Sequence, residues 1–254
     1  MFGKVTVLIT TFLRPGYLYV CTNAARMNLP NAKIVIAADD GGYTRRVYDY
    51  KFDGWVELLF DSGLTAKRNA GLDLVQTPYT LLASDDYNFS PSWVRWGIKR
   101  MVETLDSHPE VDVVVGTYNR KEYEGFLELV PGEYIKEHRL PISAEPMFTT
   151  PYPAWKIDIG INYFLARTNV LREVPWDESI KPIGGEHGDW FLSLKEAGKT
   201  VVFVPGCSIE NIPGDPEFSH PDYMSYRRRA HLGHEAMLKK RGIKRYYGFE
   251  EEVR

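Results

Sequence analysis

Four largely apolar runs, Lys4 to Thr10, Ala32 to Ala38, Trp55 to Phe60 and Tyr79 to Ala83, each stop abruptly at polar residues. Runs this short, bounded by turn signals, read as buried strands. Stretches of helical length separate or follow them: Tyr17 to Met27, Leu64 to Val75 and Pro91 to Leu105, with a fifth strand at Val111 to Gly116. Strands alternating with helices at this spacing predict βαβ units around a mostly parallel sheet. In such a sheet the strand ends share one edge. Thr10-Thr11, Asp39-Asp40, Asp61-Ser62 and Asp85-Asp86 are therefore expected to border one crevice.

Beyond Gly116 the pattern is less regular. It predicts a hairpin over Tyr118 to Val130, a long loop over Pro131 to Pro153 and a strand over Ile157 to Ala166. A helix from Trp190 to Ala197, opened by Gly184 to Asp189 and closed by Gly198, precedes a last strand, Thr200 to Val204. From Pro221 the tail reads as helical and basic, with most of its charges in solvent. The expected organisation is one domain over 1–254: a nucleotide-binding half (1–116), a less regular half (117–220) and the tail (221–254).

Apolar residues at 44% and charged ones at 26% suit a globular protein with a sizeable core. A net charge of -3 argues against a general nucleic-acid binder, which would be basic. Two cysteines make neither a disulfide framework nor a metal cluster. No apolar run approaches the ~20 residues of a membrane span. Met1-Phe2-Gly3-Lys4 carries no signal-peptide pattern, so a cytoplasmic protein is expected.

The residues richest in chemistry are Ser84-Asp85-Asp86. Asp-Asp after a strand is often a turn plus a helix cap. Here Ser90-Pro91 already supplies cap and first turn for the next helix, which frees the aspartates for a cation. A divalent metal carrying a nucleotide diphosphate is the first candidate. Lys67-Arg68, taken alone, reads as a solvated helical face, and Asp39-Asp40-Gly41-Gly42 as a turn.

Five segments come in an order that resembles GT-A glycosyltransferases, family 2 above all: Val5 to Arg14, Asp39-Asp40-Gly41, Gly63 to Asn69, Ser84-Asp85-Asp86 and Gly185-Glu186-His187-Gly188-Asp189. Thr11 to Arg14 and Asn162 to Thr168 are also similar to the family 12 β-1,4-N-acetylgalactosaminyltransferases. The resemblance implies an α/β GT-A fold, a Rossmann-like mixed sheet flanked by helices. It implies a metal-dependent transferase that moves a hexose or N-acetylhexosamine from a UDP-sugar to an acceptor hydroxyl, with inversion.

By the same resemblance, Asp86 would hold Mn²⁺ or Mg²⁺, with Asp85 on the ribose or in the ion's water shell. Ser84 replaces the first acid of the family's Asp-X-Asp, so metal affinity is expected to be modest. Thr10, Thr11, Phe12, Asp39 and Asp40 would face the nucleotide, Asp40 taking the base N–H; Arg14 would lie near the phosphates, and Arg68 rather than Lys67 would touch the pyrophosphate. Glu186 is the first choice of general base and Asp189 the second, with His187 structural. Trp155, Asp158 and Asn162 would face donor sugar and acceptor, and His220, His231 and His234 are candidates for a third metal ligand. A sugar-nucleotide nucleotidyltransferase is a rival reading, but Thr10 to Arg14 lacks the glycines it needs. A catalytically silent relative is another, favoured by Ser84 and His187.

Overall fold

The computed structural model describes residues 1–119 and 124–249. Its core is an eight-stranded sheet ordered β3-β2-β1-β4-β9-β5-β10-β8, comprising β1 (Val5–Thr11), β2 (Lys33–Ala38), β3 (Gly54–Glu57), β4 (Tyr79–Ser84), β5 (Val113–Tyr118), β8 (Trp155–Ile157), β9 (Phe164–Arg167) and β10 (Val201–Ile209). Every residue of β1 is buried, which is why its sequence is continuously apolar or Thr rather than alternating. Val5, Val7 and Ile9 pack on one face with α1 (Pro15–Asn28) and α4 (Ser92–Ser107). Leu8 packs on the other with α3 (Leu64–Asp73), α5 (Thr168–Glu173) and α6 (Glu186–Glu196).

From β1 the chain goes to β2 on one side and, through β3, to β4 on the other, so the strand order reverses between β1 and β4. Such a switch point leaves a crevice at the carboxyl ends of the strands. Parallel pairing of β1 with β4 sets Thr10 opposite Ser84, at that crevice.

The sheet is more mixed than the expected one. Strand β9 runs antiparallel between β4 and β5, and β8 antiparallel to β10. The single strand expected over Ile157 to Ala166 is thus two, β8 and β9. Gly160 lies between them, so close under β5 that a Cβ there would sit 2.4 Å from Val115 Cγ1. Because β9 starts where β4 ends, Leu82 pairing with Phe164, Asn162 arrives beside the crevice.

The expected hairpin lies further along the chain, formed by β6 (Gly125–Val130) and β7 (Tyr134–Arg139). Its turn is Pro131-Gly132, with Gly132 at φ 77° and the Glu133 N–H donating to Val130 O, a type II turn that Pro-Gly favours. Part of the expected hairpin, 120–123, lies outside the described residues. Strand β11 (Arg245–Tyr247) adds to β7 in parallel.

Helix α6 starts at Glu186, four residues earlier than expected, after Gly184 and Gly185 at φ 98° and 77°. The remaining helices are α2 (Tyr43–Val47), α7 (Tyr223–Arg227) and α8 (Ala230–Arg241). A Cβ on Gly184 would fall 2.1 Å from Ala230 O, so glycine there lets α8 seat directly on the loop that leads into α6. Among the described residues no helix is long and apolar enough to cross a membrane.

Candidate active site

The crevice is a cavity of about 490 Å³, within the range of small-molecule and cofactor sites. Of the residues singled out from the sequence, Thr10, Thr11, Phe12, Arg14, Asp39, Lys67, Arg68, Asp85, Asp86, Asn162 and Glu186 line it.

At its centre Arg14 forks onto both aspartates. Nη1 lies 2.7 Å from Asp85 Oδ1 and Nη2 3.0 Å from Asp86 Oδ2. Thr11 Oγ1 donates to Asp85 Oδ2 at 2.8 Å, so the chain engages both Asp85 oxygens. The guanidinium lies 4.3 Å from the Tyr17 ring centre and 5.1 Å from that of Tyr223. Burial, helped by the neighbouring charge of Asp86, pushes the Asp85 carboxyl up to about 6 against the pull of Arg14 and Thr11. Burial opposes the charge on Arg14, and the two aspartates outweigh it, holding the group above its ordinary pKa.

The two basic residues at the start of α3 differ in what they do. Lys67 Nζ is taken up by Asp39 Oδ1 at 2.6 Å and by Thr11 O at 3.1 Å, which ties the end of β2 to the end of β1. Gly63 N–H donates to the other Asp39 oxygen at 2.8 Å. Arg68 is only 3% exposed, its guanidinium 5.3 Å from the Trp176 ring centre, and its Nε and Nη1 have no hydrogen-bond partner among the described residues. Burial lowers its pKa, and Glu186 is the carboxylate that most offsets this. A buried cation with unused donors is costly, and an anion is what it lacks.

Glu186, at the first position of α6, accepts the Gly184 N–H through Oε2 at 2.7 Å. Beside it His187 Nδ1 lies 2.9 Å from Asn162 Oδ1. Burial and the Arg68 charge push the His187 ring down to about 3. The ring should therefore stay neutral, and its carbon-bound protons should show no NMR titration from pH 5 to 8; a midpoint near 6.5, the ordinary histidine value, would put the ring in water instead.

Several expected site residues are turned elsewhere. Asp40 is buried and accepts from Leu13 N–H, Thr44 N–H and the Thr44 hydroxyl, which makes it the clamp of the β2-α2 turn; its neighbour Asp39 is the one in the cavity. Asp189 points at α8, paired with Arg241 Nε at 2.6 Å and Lys240 Nζ at 2.9 Å. Asp158 pairs with Lys195 at 2.7 Å and accepts from Leu127 N–H. Trp155 lies on the far edge strand, its Nε1–H donating to Ala144 O. His220, His231 and His234 are absent from the lining among the described residues.

The tail contributes more than solvated charge. Tyr223, Tyr226, Arg227 and Arg229 line the cavity. Arg229 Nη2 reaches both Asp61 oxygens, at 2.7 and 2.8 Å, and Tyr226 packs edge-on against Phe12 and Phe60. Tyr118 and Asn211, from the ends of β5 and β10, complete the far wall.

The residues present fit a divalent ion only of one kind. The donors are hard carboxylate oxygens, as Mg²⁺ and Mn²⁺ require. Among the described residues, however, no group of three or more His, Cys, Asp or Glu could hold a metal. Asp86 Oδ1 is the pair's one oxygen that accepts no hydrogen bond from the described residues. That suits an ion bound by one carboxylate and by the phosphates of its ligand, rather than a protein cage.

A sequence model of glycosyl transferase family 2 matches residues 6–163, well over half the chain. The chain belongs to glycosyl transferase family 2. The family 2 match takes in Asp39, Arg68, Asp85, Asp86 and Asn162, and ends before Glu186. Among sequence relatives, β-1,4 N-acetylgalactosaminyltransferase 2 of Mus musculus is 28% identical over 234 residues, and β-1,4 N-acetylgalactosaminyltransferase 1 of Homo sapiens 27% identical over 259. The matches cover 88% and 93% of this chain but 43% and 45% of the relatives, so the chain spans less than half their length. Among solved structures the fold is similar to GalNAc-T7 crystallised with UDP, GalNAc and Mn²⁺: TM-score 0.61, 12% identity, 82% of this chain and 43% of that one. It is also similar to S. aureus TarS: TM-score 0.55, 15% identity, 84% of this chain and 37% of that one. These likenesses speak for the fold, the GT-A arrangement expected from the sequence.

Proposed function

We propose that this family 2 chain transfers a sugar from a UDP-sugar to an acceptor hydroxyl, with inversion at the anomeric carbon. One observation carries the reading: the buried Arg68 guanidinium, whose Nε and Nη1 have no hydrogen-bond partner among the described residues, the Asp85-Asp86 pair and the Glu186 carboxylate meet in one cavity at the switch point of the sheet. The relatives' names make N-acetylgalactosamine the first donor sugar to try.

In this reading the base lies toward Phe12, over the floor that Lys67 and Asp39 hold rigid. The diphosphate lies between Arg14 and Arg68, whose guanidinium forks match phosphate oxygens. Asp86 is the residue that would hold a Mn²⁺ or Mg²⁺ ion, which would supply Lewis-acid neutralisation of the charge on the departing UDP. Glu186 takes the acceptor hydroxyl's proton as that oxygen attacks the anomeric carbon. Neutral His187, beside Asn162, borders the donor sugar without adding positive charge there.

The test is UDP release from UDP-N-acetylgalactosamine, UDP-N-acetylglucosamine, UDP-galactose, UDP-glucose and a GDP-sugar, each with Mn²⁺ and with EDTA. Turnover of a UDP-N-acetylhexosamine that EDTA suppresses is expected. Turnover confined to the GDP-sugar, or synthesis of a UDP-sugar from UTP and a sugar phosphate, would overturn the reading.

A further inference from the structure

We infer that Arg14 competes with a divalent cation for the Asp85-Asp86 pair, so that the ion binds well only together with a nucleotide diphosphate. The inference rests on the proposed assignment of Asp86 to a metal, and its starting point is the fork. Among the described residues, Arg14 and Thr11 engage three of the pair's four carboxylate oxygens and leave Asp86 Oδ1 over. A Mg²⁺ or Mn²⁺ ion seeks about six oxygens and dehydrates reluctantly, so a single free carboxylate oxygen is a poor site.

The guanidinium cannot step aside by losing its proton. Its own environment holds it in place: the Tyr17 and Tyr223 rings lie against it and its side chain is 13% exposed. An incoming ion therefore meets a fixed positive charge within hydrogen-bond distance of the oxygens it needs, in surroundings where such repulsion is poorly screened. A diphosphate changes both halves of this balance. It brings oxygens and negative charge to the ion, and it offers Arg14 a bidentate partner in place of the carboxylates. Arg14 is then a positioning residue that couples metal binding to donor binding, and its second partner, Tyr223, comes from the tail that lines the same cavity.

The experiment is equilibrium dialysis of Mn²⁺ against wild type, Arg14→Gln, Arg14→Lys and Asp86→Asn, each with and without saturating UDP. Without UDP, Arg14→Gln should bind Mn²⁺ at least about tenfold more tightly than wild type, because removing a unit charge at hydrogen-bond distance is worth at least that factor. Arg14→Lys keeps the charge but loses the fork, and should fall between the two; it carries the test if the glutamine variant does not fold. Wild type should gain at least about tenfold in Mn²⁺ affinity when UDP is present, and Arg14→Gln much less. The proposal is overturned if neither Arg14 variant binds Mn²⁺ more tightly than wild type while Asp86→Asn loses binding. Should Asp86→Asn bind Mn²⁺ with UDP as wild type does, the metal assignment itself fails, and the competition with it.

Discussion

Arg68→Met should make the protein more stable and, in the same variant, disable donor binding. The Arg68 guanidinium is buried with Nε and Nη1 lacking partners among the described residues, so the fold carries a desolvation cost that Glu186 and Trp176 offset only in part. Methionine fills similar space beside Trp176 without that cost. A gain of about 1–2 kcal/mol is expected; the lost attraction to Glu186 keeps it from being larger. UDP affinity should fall about a hundredfold, the worth of one or two charge-assisted hydrogen bonds. Calorimetric unfolding and UDP titration measure the two effects together. A variant that is less stable and binds UDP normally would show that Arg68 serves the fold and not the ligand.

Glu186→Gln should lower kcat by about 10²–10⁴ and leave UDP affinity unchanged, which is what loss of a general base does. The amide oxygen can still accept the Gly184 N–H, so the start of α6 survives the change. Asp189→Ala should behave in the opposite way. It removes one of two carboxylate partners from Lys240, which keeps Asp177, and from Arg241, which keeps Glu196, and should cost about 1–3 kcal/mol of stability, with little loss of activity per folded molecule. Urea unfolding and initial rates on the two variants separate the roles. Full transfer by Glu186→Gln would place the base on another residue.

Strands β1, β2 and β4 and their polar ends were legible because they are buried on both faces and so are written as nearly unbroken apolar runs, whereas β3, at the sheet edge, is only half-buried and ends at Glu57, short of the expected Phe60. Asp39 and Asp40 show the limit of such reading. Consecutive residues at a strand end point to opposite sides, so one aspartate enters the cavity beside Lys67 while its neighbour clamps the turn under Thr44. Their order cannot be read from Asp-Asp alone. The turn at Pro131-Gly132 did carry a local signal, since Pro-Gly between apolar runs favours a type II turn, yet the surrounding Pro, Glu and His residues masked it as loop. Tyr223, Tyr226 and Arg229 carried none. Helix α7 has five residues, too few for a period, and it reaches the cavity through partners far off in the chain, Tyr226 on Phe12 and Phe60 and Arg229 on Asp61.

That last pairing bears on how such a chain can be engineered. Asp61 and Arg229 stand 168 positions apart, and Gly184 admits Ala230 so closely that no side chain fits between them. A hybrid that joins one parent's donor-binding strands to another parent's tail would set unmatched partners at both contacts. Hybrids between relatives should therefore take Asp61, the Gly184-Gly185 loop and the segment from Tyr223 to Arg241 from one parent as a unit.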